Sequence, residues 1–289
     1  MLQGQPVLGW RTAAVTRLLH RVSPASLIAF AFLAVVGIVA AVPQVIARYD
    51  PIEVTPEVIL VAPNLAHPFG TDQFGRDILS RVAFGARVSL GFAIVATLIS
   101  ITLSTVIGAL VAHRGGRLDS VVMRIVDVLM AFPGILLALI VISLLGPGLV
   151  AAMVAVGFGQ TPAFIRILRS ATLAIKNEAY VEAARAVGAP DLRILRRHIL
   201  PNVAHTVLVL ATLGFGAAIL IGSSLSFLGL GVQPPTPEWG SMLSSARQYF
   251  RSHWWVATLP GAVLAVTLLS VNVIGDQLRD IFDPRLKVA

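Results

Sequence analysis

Long apolar stretches alternate with short polar segments along the whole chain. The apolar stretches cover residues 26–47, 88–112, 125–145, 147–165, 203–232 and 255–275, and Asp127 is the one Asp, Glu, Lys or Arg in any of them. A hydrocarbon core of about 30 Å takes ~20 helical residues, so most are long enough to cross it. The stretch 147–165 is short, while 203–232 leaves room for irregular backbone beyond a full span. One charge at the centre of such a helix costs at least ~2.5 kcal/mol, which makes the near-absence of charge meaningful. Period-two alternation of the kind a barrel strand needs is missing. The pattern predicts an all-α integral membrane protein with six transmembrane helices, each satisfying its own backbone.

Composition agrees. Of 289 residues, 56% are hydrophobic and 12% charged, about half the charged share of roughly 25% in soluble domains. Soluble enzymes and disordered chains are poor readings. The net charge of +8 fits nucleic acid, an anionic membrane face or basic loops, and its distribution decides between them. With the N-terminus inside, 16 of the 22 basic residues fall on inner segments, seven of them in 166–202. That bias predicts both termini in the cytoplasm and argues against a nucleic-acid binder, whose charge would gather in one soluble domain. Arg76, Arg81 and Arg87, with Arg48, run against the bias in the outer segment.

The expected plan is a cytoplasmic tail over 1–25, a first span over 26–47 and an external segment over 48–87. A core of five spans over 88–275 follows, with an inner loop at 176–202, an outer loop at 233–254 and a cytoplasmic tail over 276–289. The first apolar run begins after 25 residues and lasts 22, longer than the ~7–15 of a signal peptide, so it is expected to be an uncleaved span. Without cysteine, disulfides and thiolate metal sites are excluded.

The inner loop carries the densest charge. Asn177 is placed to cap a helix rich in Ala over 179–187, and Gly188-Ala189-Pro190 breaks it. Asp191 is placed to cap a second helix over 192–200, with Leu192, Leu195 and Ile199 on one face. Pro201 disfavours helix at Leu200 and is expected to turn the chain into the fifth span. The result is a helix–turn–helix elbow at the membrane surface, with an apolar and a basic face.

Candidate chemistry inside the spans is sparse. Asp127 is a functional candidate by its place in a span, although Arg124 three residues earlier offers an i, i+3 partner. Ser100, with other hydroxyls of the second span, and Asn272 in the sixth are candidates for a path or gate, but such hydroxyls often bond the preceding turn. No GxxxxGK[ST] phosphate loop and no HExxH occurs. The chain is expected to be no enzyme and to bind no cofactor or metal, so active transport would draw its energy from a partner.

The motifs narrow this further. Glu182-Ala183-Ala184, Gly188 and Leu200-Pro201, with His198 where an Ile is usual, resemble the EAA loop of ATP-binding-cassette importer permeases. His67-Pro68-Phe69-Gly70-Thr71-Asp72-Gln73-Phe74-Gly75-Arg76-Asp77 resembles the HPxGTDxxGRD segment of the dipeptide, oligopeptide and nickel permeases, in their second, C-type subunit. Pro234–Trp239 and the closing Gly275-Asp276…Asp283-Pro284-Arg285 are similar to the same subunits, so the resemblance covers about residues 20–287. It implies a type I importer permease fold in a bacterial inner membrane. It also implies a B-type partner permease in a heterodimer, one or two ATPase subunits carrying ATP-Mg, and an external solute-binding protein. The elbow would then be the coupling loop: Glu182 anchors it, Gly188 bends it and Leu200-Pro201 lead into the fifth span. Local chemistry reads 67–77 as a folded loop in which Asp72, Arg76 and Asp77 pair with neighbours, in preference to direct substrate contact. Trp239, Trp254 and Trp255 suit an interfacial belt. The rival readings are a nickel or other small-solute permease and, in a different class, a proton-coupled carrier leaning on Asp127.

Overall fold

The computed structural model describes residues 23–282, and among them all regular elements are helical. They are α1 (Pro24–Ala41), α2 (Ile78–Arg114), α3 (Gly116–Met130), α4 (Gly134–Leu145), α5 (Leu149–Lys176), α6 (Ala179–Ala186), α7 (Asp191–Phe227), α8 (Trp239–Ala246) and α9 (Trp255–Phe282). The tail expected over 1–25 falls almost wholly outside the described residues, as does Asp283-Pro284-Arg285, while 276–282 of the second expected tail continue α9. Helices α1, α2, α5, α7 and α9 are each long and apolar enough to cross a bilayer, and α3 with α4 makes a sixth, broken candidate.

Local chemistry sets the boundaries. Ser23 caps α1, its Oγ accepting from the Ser26 N–H at 3.1 Å with Pro24 at the first helical position. Asp77 caps α2 by accepting from the Ser80 N–H at 2.8 Å. This starts α2 ten residues before the apolar run at 88, because the charged residues Arg81 and Arg87 have partners there. Arg87 donates to the carbonyls of Ala40 and Ala41 at 2.8 and 2.6 Å, where α1 leaves its last acceptors open.

Two expectations need correction. The third span is not one straight helix over 125–145: α3 and α4 meet at 94°. Pro133 lacks an N–H and disfavours helix at Phe132, so the ladder stops and restarts. Nor does Pro201 turn the chain. α7 runs through it, preceded by a π turn over Leu195–Ile199 in which the Leu200 N–H reaches the Leu195 carbonyl. Pro201 offers no N–H to the carbonyl four residues back and its ring crowds that group; the widened turn relieves both. The elbow's second arm and the fifth span are therefore one helix.

Small residues let the helices approach closely. A Cβ on Gly157 of α5 would sit 2.8 Å from the Ala96 carbonyl of α2, and one on Gly108 of α2 would sit 3.1 Å from the Ile165 carbonyl. Ser104 of α2 lies between, donating to the Thr161 carbonyl at 3.2 Å. Residue numbers rise together along both helices, so α2 and α5 run parallel and α3–α4 carries the chain back between them. Gly222 of α7 meets the Phe92 ring, where a Cβ would come within 2.3 Å. The small residues Gly222 and Ser223 thus serve close packing of α7.

Candidate coupling elbow and the folded 67–87 segment

The elbow is built from the end of α5, α6 and the start of α7. Lys176 closes α5, and its Nζ donates to the Ala112 and His113 carbonyls at 3.1 and 2.7 Å. An ammonium there meets the negative end of α2. The cap of α6 is Glu178, not Asn177, which instead ends α5. Gly188 stands at φ +81°. Its N–H reaches the Arg185 carbonyl at 3.0 Å while the Ala189 N–H reaches that of Ala184 at 3.1 Å. This Schellman pair terminates α6 as a left-handed glycine does best. Pro190, not Asp191, occupies the capping position of α7.

The elbow has two faces. Val181, Ile194, Leu195 and Ile199 are buried with Ala109, Leu168, Val203 and Leu210 in one apolar cluster, and Ala184 and Leu200 pack against it. Leu192 does not join that face, a correction to the i, i+3, i+7 reading. It is 62% exposed on the outer side, with Val187 at 84% and Tyr180 at 45%. The chain enters this arm at Pro190, so the buried face is set by 194, 195 and 199. Glu182 lies in the first turn of α6 and is exposed, as are Ala183 and Pro201. His198 is half-buried, its ring 6.3 Å from that of Tyr180.

The 67–87 segment folds on itself at the opposite end of α2. Asp72 Oδ1 accepts from the Phe74 and Arg76 N–H groups at 2.9 and 3.1 Å, and Oδ2 accepts from Arg76 Nε at 2.7 Å. Arg81 stands 3.6 Å from the same carboxylate and donates to the Pro51 carbonyl at 2.7 Å. Asp77 divides its oxygens between the α2 cap and His67 Nδ1, 3.0 Å away. Thr71 Oγ1 donates to the Val58 carbonyl and accepts from the Val61 N–H. Gly70 and Gly75 have φ of +73° and +74°, and a Cβ on Gly75 would lie 1.9 Å from the Thr55 carbonyl. His67, Thr71, Asp72, Arg76 and Asp77 are thus occupied in holding the loop.

A buried acid that the sequence reading passed over joins this segment to α7. Glu238 accepts from the Gly240 and Ser241 N–H groups at 2.9 and 2.8 Å, capping α8. Its Oε1 also faces the hydroxyls of Ser89 on α2, at 3.2 Å, and Ser223 on α7, at 3.5 Å. Burial pushes its carboxyl above the ordinary value, against the pull of those N–H donors. Trp239 is fully buried, not interfacial, and donates from Nε1 to the Val82 carbonyl at 3.1 Å. Trp255 is buried too, while Trp254 is exposed as a belt residue would be. An acid just before a short helix in Pro234–Trp239 was the available signal.

The candidate path residues occupy three different settings. Asp127 pairs with Arg166 of α5, not with Arg124, because α3 crosses α5 and presents the acid to it. Ser100 is fully buried on α2, its carbonyl accepts from Ser104 Oγ at 2.6 Å, and its own hydroxyl has no partner among the described residues. Asn272 is exposed on α9, beside Gly216 of α7.

Comparison with known proteins agrees with this geometry. Residues 104–288 match the family model described as binding-protein-dependent transport system inner membrane component. The chain is 42% identical over 250 residues to the di/tripeptide transport system permease protein DppC of Pseudomonas aeruginosa strain UCBPP-PA14, covering 84% of this chain and 82% of that one. It is 43% identical to the dipeptide permease DppC of Alkalihalophilus pseudofirmus, over 81% of this chain and 77% of the other. With the glutathione permease GsiD of Escherichia coli O157:H7 it shares 45% over 78% and 74%. An inward-facing structure of the MetNI methionine ABC transporter matches with a TM-score of 0.57 at 20% identity, covering 70% of this chain and 97% of that chain, which shows a shared fold. The chain therefore belongs to the binding-protein-dependent transport system inner membrane components, as a multi-pass permease subunit of an ABC importer that works with ATPase and permease partners.

Proposed function

We propose that this chain is the C-type permease of an importer for di- and oligopeptides in a bacterial plasma membrane, coupled through the 178–201 elbow to separate ATPase subunits. The substrate class is supported by relatives named for di/tripeptides, dipeptides and glutathione. The partners are a B-type permease completing the path, one or two ATPases holding ATP-Mg, and an external solute-binding protein. Both termini and the elbow face the cytoplasm, and the His67 end faces outward. The chain performs no catalysis itself.

The observation that carries the reading is the elbow's division of labour. Its inner face is fused into the cluster around Val181 and Ile199, while Tyr180, Val187 and Leu192 stand outward. Apolar side chains held out on a rigid arm suit a cleft on a partner. Because α5 enters the elbow and α7 leaves it without a break, force at α6 moves both as levers. Asp127 offers little to a proton-carrier mechanism, since its carboxylate pairs with Arg166.

The test is reconstitution. Uptake of labelled di- and oligopeptides should require this chain, its partner permease, the ATPases, the binding protein and ATP. Uptake by this chain alone, driven by a proton gradient, would favour the carrier instead.

A further inference from the structure

Helix α3 carries a stripe that nothing in the fold covers. Leu118, Val121, Ile125 and Val128 follow at i, i+3, i+7 and i+10 and are 42%, 59%, 56% and 59% exposed. At about 100° per residue they share one face. Arg117 and Arg124 fall along one edge of it, both exposed and without a carboxylate partner among the described residues. The far face is committed to α5: Val126 is buried, Asp119 pairs with Arg169 and Asp127 with Arg166.

These two pairs also set the inclination of α3. Eight residues of α3, about 12 Å of helix, are answered by three residues of α5, about 4.5 Å. α3 therefore crosses α5 steeply and does not run alongside it. α5 is a spanning helix, and its apolar run ends at Ile165, next to Arg166. The crossing thus lies at the boundary of the apolar layer on the elbow side. At its other end α3 bends by 94° into α4, whose first residue, Gly134, packs on Gly159 inside that apolar run.

We propose that α3 is an interfacial helix, seated on the bilayer leaflet of the elbow side. Leu118, Val121, Ile125 and Val128 enter the acyl region, and Arg117 and Arg124 meet the phosphate headgroups. A helix with an apolar stripe edged by arginine binds a bilayer surface in this way, and anionic lipid strengthens the arginine half. The six-helix plan thereby becomes five full crossings and a sixth whose first half lies along the surface.

Because the chain contains no cysteine, single cysteines are introduced without preparation. In the intact transporter, purified with its partner chains and placed in phosphatidylglycerol nanodiscs, spin labels at 118, 121, 125 and 128 should collide with oxygen in preference to a water-soluble nickel chelate. A label at Ser120 should show the reverse preference. Stripe labels shielded from both reagents would mean that the second permease covers α3, and preference for nickel would mean an aqueous surface; either overturns the proposal. Labels at 121 should sit deeper in phosphatidylglycerol than in phosphatidylcholine, and R117Q/R124Q should abolish the difference. Equal depth in the two lipids without those substitutions would overturn the headgroup contact.

Discussion

The two carboxylate oxygens of Asp119 meet Nε and Nη2 of Arg169 at 2.5 Å each. This two-pronged pair fixes α3 across α5 about two turns before Lys176 and its carbonyl contacts. A lever is only useful if its neighbours move with it, and this pair makes α3 move with α5.

Removing one partner leaves the other half-buried charge unpaired. D119N or R169Q should lower the thermal stability of the purified complex by about 1–3 kcal/mol. The reversed pair D119R/R169D should recover part of that loss. Equal loss in the single and reversed variants would show that packing, not the pair, holds α3.

Gly240 tests the junction of α8 with α7. A Cβ there would lie 2.2 Å from the Ser223 carbonyl oxygen and 2.6 Å from its Cα, and backbone cannot step aside. G240A should destabilise by about 3 kcal/mol or prevent assembly. G91A in α2 has nothing within 4 Å of the new carbon and should assemble normally. Assembly is read by size-exclusion chromatography of the complex.

Glu238 should make stability depend on pH. Its folded pKa is raised above the ordinary glutamate value of 4.5, so the fold favours the protonated form. The contribution is complete below the unfolded value and is lost as pH rises through the folded one. Thermal unfolding scanned upward from about pH 4.5 should show stability falling, and E238Q should flatten that slope. A slope unchanged by E238Q would assign it to another group.

Much of this was legible from residues. Uncharged runs located the spans because the penalty for a charge in lipid is large and local. Gly188 could be read as a helix end because a left-handed residue is a local need. Other features were not legible because they depend on partners far along the chain. Arg166 answers Asp127 from 39 positions away, so a nearer arginine looked sufficient. Trp239 resembled a belt residue until its place under Gly85 and Val82 was known. Pro201 has the local chemistry of a turn, but the π turn before it accommodates its ring while Ile199 and Val203 pack into one cluster on either side. The HPxGTDxxGRD residues look reactive as a string, yet their polar groups are spent on one another, as in Asp72–Arg76 and His67–Asp77, and on neighbours such as Val58, Val61 and Ser80.

Gly188 separates bend from bulk. Nothing lies within 4 Å of an added Cβ, so G188A acts through the left-handed backbone alone, costing ~1–2 kcal/mol. Peptide-stimulated ATP hydrolysis by the intact complex should weaken in G188A, less in G188N, and be lost in G188P. E182K should also impair coupling. Unchanged coupling in G188P and E182K would remove the elbow from the mechanism.

Contact itself is the most direct measurement. A photo-crosslinking amino acid at Val187 or Leu192, the outward tip of the elbow, should yield an adduct with an ATPase subunit in the intact transporter. The same group at Val181 or Ile194, on the buried face, should yield none. If 187 and 192 gave no ATPase adduct while other exposed positions of this chain did, the elbow would not be the coupling element.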